Sequence, residues 1–211
     1  MTTEQSDRTE TTTPARNNAK SGARRFTFDP DQLAYLEVAG LRAYYDHKWL
    51  KMLRLVVQLM HEQFSLSWPR AVQAAYYVTR ASVAWEPVDN KPEVTRLYIR
   101  KFYSHAARYG SSSSYDPRKV AEIEFKYWEL HRQRGIHPDS DVAPYVQCLA
   151  NLHSALFGLP EDAVQESAVN RAHGTDAIDR VTGKRSKDME ADWREAEKYL
   201  RLAYSSIAAH L

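Results

Sequence analysis

Two glutamates in this sequence stand where a charged side chain is costly. Glu37 and Glu124 each lie eight residues after the Asp of an Asp-Pro pair that starts a predicted helix, too deep for a capping role. A carboxylate buried there must be neutralised, paired or bound to a metal, because an isolated charge is strongly disfavoured in a low-dielectric interior. Both fall on apolar stripes at three- and four-residue spacing, which are Leu33, Glu37, Leu41, Tyr44 and Val120, Glu124, Tyr127, Trp128, His131.

Arginine is the first candidate partner for these acids. Arg80 and Arg171 each follow a valine by two positions and precede an alanine, and Arg80 lies on a predicted helix with small side chains. The first interpretation is therefore two internal ion pairs, Glu37 with Arg80 and Glu124 with Arg171, that fix the helix register.

A metal centre is the second interpretation. Glu37 and Glu124 would bridge two ions and His131 would complete the ligand shell, in a set that suits iron or manganese. Ferritin-like helical bundles build such sites with Glu-x-x-His pairs, whereas this chain has no Glu-x-x-His, so only a bundle architecture is shared. His131 also fits a core histidine bonded to a neighbour. Further candidate ligands are Asp46, His47 and His105.

Tyrosine is abundant, with 13 residues in the chain. Phenol groups buried beside carboxylates either line a pocket for a flat or apolar ligand or pack in the core with their hydroxyls bonded to backbone or acidic partners. The tyrosines assigned to the predicted polar centre are Tyr44, Tyr103 and Tyr204.

Several other chemistries are excluded by the sequence. It has no glycine-rich phosphate loop, no Gly-x-Ser-x-Gly elbow and no His-Glu-x-x-His. Cys148 is the only cysteine and has an apolar context, which favours a structural thiol and excludes an internal disulfide or a cysteine metal cage. This cysteine usage fits a cytoplasmic location.

The charge distribution argues against polyanionic partners. Basic residues exceed acidic ones by 29 to 27, and the first 25 residues, with five basic and three acidic side chains, account for the excess. The neutral remainder does not favour nucleic acid or an anionic membrane as the main partner. No apolar run is long enough to span a membrane, and residues 1–26 are predicted to be a disordered polar leader.

The chain also carries a repeated pattern. Residues 28–37 and 115–124 both read aromatic, Asp, Pro, two free positions, aliphatic, Ala, one free position, aliphatic, Glu, at an offset of 87 residues. Three later blocks match in the same order, pairing 64–73 with 157–165, 78–81 with 169–172, and 98–104 with 199–205. We therefore expect an internal duplication, with copy one at 27–110 and copy two at 111–211 of a single domain.

Helical periodicity dominates this domain, and no segment alternates with period two. The fold class predicted is all-α, bundle-like, with six helices from a duplicated three-helix unit. Residues 174–187 are predicted to be a loop. The six predicted helices span approximately residues 30–63, 70–85, 93–109, 117–134, 143–157 and 188–209.

Two functions of different class follow. The absence of a complete catalytic motif favours a binding or interaction protein, with a pocket between the copies for a small molecule or a protein partner. The alternative is a metal-dependent oxidoreductase that uses Glu37, Glu124 and His131.

Overall fold

The computed structural model describes residues 26–110 and 115–211, and every regular element in these ranges is an α-helix. The predicted all-α class is confirmed, but the helices number eight in the described residues rather than six. They are α1 (Pro30–Tyr45), α2 (Trp49–Phe64), α3 (Trp68–Trp85), α4 (Pro92–Tyr109), α5 (Pro117–Ile136), α6 (Ala143–Phe157), α7 (Glu161–Thr182) and α8 (Met189–Ala208).

The helices form a closed circuit. Each helix packs against the next one in the chain, and α8 packs against α1, so that no helix at either end is left without a second neighbour. The largest buried cluster lies inside this circuit and includes the aromatic rings of Phe64, Phe102 and Phe125. This arrangement directs one face of every helix towards a common interior.

The first predicted helix is in fact two helices. The chain turns at residues 46–48, where His47 has a left-handed backbone with φ 57° and the Lys48 amide donates to the carbonyl of Ala43. The apolar stripe continues across the break because α1 and α2 pack together and face the same interior. Gly40 lies inside α1, where a Cβ would be 3.8 Å from that of Leu55, and is not the point of the break.

The predicted loop at 174–187 is also wrong over most of its length. Gly174 lies within α7, and a Cβ there would be 3.2 Å from Cγ of Leu200 and 3.4 Å from the carbonyl oxygen of Ala196. A glycine at this position lets α7 and α8 approach closely, which outweighs its low helix propensity.

Most of the predicted leader and the segment 111–114 lie outside the described residues. Phe26, which was assigned to the leader, belongs instead to the core because its ring packs against Phe64, Tyr115 and Phe157. No helix in the described part of the chain is long and apolar enough to cross a membrane.

The two Asp-Pro pairs cap their helices in the same way. Oδ1 of Asp29 accepts from the amides of Asp31 and Gln32 at 2.9 and 3.4 Å. Oδ1 of Asp116 accepts from the amides of Arg118 and Lys119 at the same two distances. Each proline occupies the first turn, where its missing N–H costs no intrahelical bond.

Removing either cap should destabilise the protein to a similar extent. We expect Asp29→Ala and Asp116→Ala each to lower the free energy of unfolding by about 0.5–2 kcal/mol, because two helix amides lose their acceptor. Urea denaturation measures this difference. The control is Asp139→Ala, in the exposed loop after α5, which should change stability by less than about 0.5 kcal/mol. An effect of the cap variants no larger than that of the control would contradict the capping role.

Candidate functional site

A cavity of about 200 Å³ lies inside the circuit of helices, and all eight helices contribute to its wall. It is larger than the roughly 150 Å³ apolar cavities that admit benzene. Its apolar lining includes Met60, Phe102, Leu152 and Leu156. The polar or partly polar side chains that line it are Glu37, Gln63, Tyr103, Glu124, Tyr127, Trp128, His153, Arg171 and Tyr204.

Glu37 has a complete set of partners. Nη2 of Arg171 donates to Oε1 of Glu37 at 2.6 Å and Nη1 donates to Oε2 at 3.2 Å, which is a two-pronged ion pair. The hydroxyl of Tyr204 donates to the same Oε2 at 2.6 Å. Burial alone would lower the pKa of Arg171, but the Glu37 carboxylate raises it well above its ordinary value. The Arg171 guanidinium is therefore held in its charged form.

Glu124 has neutral partners only. Nε1 of Trp128 donates to Oε1 of Glu124 at 2.7 Å, and the hydroxyl of Tyr103 donates to Oε2 at 3.1 Å. No basic side chain in the described residues forms an ion pair with it. Burial raises the pKa of Glu124, while the bonds from Trp128 and Tyr103 and the charge of Arg171 act in the opposite direction.

One cavity-lining position differs between α3 and α7. Val78 and Arg171 both line the cavity, and each lies ten residues after the first residue of its helix, α3 or α7. The cavity wall thus has valine on α3 where α7 supplies the guanidinium that pairs with Glu37. Among the described residues, no guanidinium is bonded to Glu124.

Arg80 does not take part in the polar centre. It is exposed, and its guanidinium carbon lies 5.4 Å from the centre of the Tyr98 ring. The predicted pairs of Glu37 with Arg80 and of Glu124 with Arg171 are not formed, because Arg171 binds Glu37 instead. Arg80 follows the cavity-lining Val78 by two residues, which turns it about 200° around the helix and away from the interior.

The ligand set predicted for iron or manganese does not converge. No group of three or more His, Cys, Asp or Glu side chains in the described ranges is arranged to hold a metal ion. Nε2 of His131 lies 2.9 and 3.0 Å from the two carboxylate oxygens of Asp179, and both oxygens of Glu37 are already bonded. Seven residues of helix separate Glu124 from His131, a rise of roughly 10 Å. These residues do not fit a shared metal centre.

The other predicted site residues lie outside the cavity wall. The Tyr44 hydroxyl donates to Glu86 at 3.5 Å, and Asp46 accepts from Lys48 at 2.9 Å. His105 is buried, with Nε2 3.0 Å from the backbone oxygen of Arg70. Exposed His47 forms the turn between α1 and α2.

His153 is a buried residue of the site that the sequence interpretation missed. It is 6% exposed, and its Nδ1 lies 3.0 Å from the hydroxyl oxygen of Ser167. Burial, with the nearby positive charge of Arg171, lowers its pKa to about 3, so the imidazole is neutral near pH 7. It lies one turn before Phe157 on the apolar face of α6, and the rule that singled out the glutamates would also have found it.

The site therefore combines an apolar wall, a paired carboxylate, a neutral imidazole and one carboxyl group without a cationic partner. Such a wall suits the body of a small molecule, and the carboxyl group suits a hydrogen-bond donor or a cation. Comparison of the chain with protein-family models, with curated proteins and with solved structures finds no match.

Proposed function

We propose that this chain is a small-molecule-binding protein whose ligand occupies the central cavity. The observation that carries the proposal is the cavity itself, with a wall built from all eight helices and two partly buried carboxyl groups facing it. The ligand has a compact, largely apolar body and one polar group. Glu124, Tyr103 and Trp128 contact the polar group.

The energetics of the core support this function over a purely structural one. A cavity of about 200 Å³ leaves the apolar side chains of its wall without the packing partners that a filled interior would supply. A buried ion pair adds little, since well-packed apolar residues are often as stable or more so. A bound ligand would recover much of the lost packing.

We also propose that the cavity lies between two halves that arose by duplication, at 27–110 and 111–211. Glu37 and Glu124 are each the eighth residue of the first helix in a half. The partners cross between the halves, since Tyr103 on α4 donates to Glu124 and Tyr204 on α8 donates to Glu37. The repeated unit would then contain four helices rather than the three predicted.

Ethylbenzene, a neutral apolar probe, should bind in the cavity. We expect it to shift the amide resonances of residues around the cavity in a two-dimensional ¹H–¹⁵N NMR titration and to raise the melting temperature. Ala81→Leu should abolish both effects, because Ala81 lines the cavity and the larger side chain would fill part of it.

The matched control is Val83→Leu, on the exposed side of the same helix, which should bind the probe as the wild-type protein does. Leu156→Phe is a second filling variant from α6, in case Ala81→Leu does not fold. Ethylbenzene binding that neither filling variant reduces would contradict the proposed function. So would a failure to bind either ethylbenzene or charged aromatic probes of the same size.

A further inference from the structure

The carboxyl groups that face the cavity outnumber the cationic groups. Two carboxyl groups, Glu37 and Glu124, line it, and Arg171 is the one lysine or arginine among the lining residues in the described ranges. Both terminal nitrogens of Arg171 are bonded to Glu37. The imidazole of His153 does not supply a positive charge near pH 7, since burial lowers its pKa to about 3.

The surroundings of Glu124 are those that proteins use to hold an organic cation. The rings of Phe102, Tyr103, Tyr127 and Trp128 line the same cavity. Aromatic faces attract an ammonium or amidinium group, and a carboxylate beside them adds a charge-assisted hydrogen bond. The two bonds that Glu124 accepts leave lone pairs on both of its oxygens for a further donor.

An anionic ligand does not suit this cavity. It would have to pair with Arg171, whose guanidinium already binds Glu37 and also donates to the Tyr204 hydroxyl at 3.4 Å. It would also lie in one cavity with two carboxyl groups.

We infer that the ligand is a small organic amine or amidine whose cationic group pairs with Glu124 as Arg171 pairs with Glu37. This inference rests on the proposed function. The cationic group lies beside Glu124 in the cavity that Val78 also lines, and the apolar body of the ligand lies against the aliphatic wall. The ligand then supplies one cationic group for the carboxyl group that has none.

Three probes of similar size and different charge test whether the cavity binds a cation in preference to a neutral molecule or an anion. Benzylamine is cationic, ethylbenzene is its neutral isostere and phenylacetate is anionic. Calorimetric titration at pH 8 should show benzylamine binding at least about ten-fold more tightly than either of the others, the range expected for a hydrogen bond between charged groups.

Two variants assign that preference to Glu124. Glu124→Gln keeps the shape of the side chain and should weaken benzylamine binding by about ten-fold or more while changing ethylbenzene affinity by less than about three-fold. Val78→Arg adds a guanidinium to the wall of the cavity that Glu124 also lines, and it should abolish benzylamine binding. Its control is Val83→Arg, at an exposed position of the same helix, which should bind benzylamine as the wild-type protein does.

The outcomes separate the inference from the proposed function. If ethylbenzene binds in the cavity but benzylamine binds no more tightly, or Glu124→Gln leaves its affinity unchanged, the inference fails and the proposed function stands. Preferred binding of phenylacetate would also overturn the inference. If none of the three probes binds, the proposed function fails and the inference fails with it.

Discussion

Replacing Arg171 by methionine is expected to lower the free energy of unfolding by about 3–5 kcal/mol, which is the usual cost of removing one member of a buried ion pair. The cost arises because the Glu37 carboxylate, whose side chain is 16% exposed, would lose both charge-assisted bonds and remain in the interior. Urea denaturation at pH 7 measures the change. Methionine is chosen because it is a flexible apolar residue that can fill much of the space that the arginine leaves.

Arg80→Met is the matched control, since it makes the same replacement at the arginine that the sequence paired with Glu37. Arg80 is exposed, and its loss should change stability by no more than about 0.5 kcal/mol. Adding Glu37→Gln to Arg171→Met should restore part of the stability, because the unpaired charge is then gone. Equal losses for the two arginine variants would contradict the assignment of Arg171 as the partner of Glu37.

Acid should destabilise the protein through His153. The folded-state pKa of His153 is lowered to about 3, against an ordinary 6.5, so between these values the unfolded chain binds a proton that the folded protein does not. The contribution of His153 to stability is therefore complete above about pH 6.5 and is lost as the pH falls towards 3. A difference of this size corresponds to a loss on the order of several kcal/mol over that range.

The measurement is the free energy of unfolding at several pH values for the wild type and for His153→Gln. The variant should lose less stability between pH 6.5 and the lowest pH at which both remain folded. His173→Gln, at an exposed histidine on α7, should follow the wild-type curve. Parallel curves for the wild type and His153→Gln would show that His153 does not supply the pH dependence.

Local rules predicted much of the fold. The Asp29-Pro30 and Asp116-Pro117 pairs begin helices with the predicted caps, and apolar spacing predicted the helical class. The same rules missed the turn near His47 because the stripes of α1 and α2 run on in phase. They also assigned Gly174 to a loop. Glycine is needed there because Leu200 of α8 lies close to it, and a contact between two helices cannot be predicted from a local sequence pattern.

Several residues named from the sequence line the cavity. Glu37 and Glu124 lie on apolar stripes, which led to the expectation of burial, and the structure places both, partly buried, on one cavity with Tyr103 and Tyr204. The partner of Glu37 was wrong because a short motif match aligned Arg171 with Arg80, whereas counting from the helix start aligns it with Val78. A shift of two residues exchanges the interior and exterior faces of a helix.

A double-mutant cycle at positions 78 and 124 tests most directly whether Glu124 lacks a cationic partner because α3 carries valine, not arginine, at position 78. The free energy of unfolding at pH 8 would be measured for the wild type, Val78→Arg, Glu124→Gln and the double variant. We expect Val78→Arg to lower the free energy of unfolding by at least about 1.5 kcal/mol less when Glu124 is present than when it is replaced by glutamine. An equal loss of stability in both backgrounds would contradict a pairing between the new arginine and Glu124.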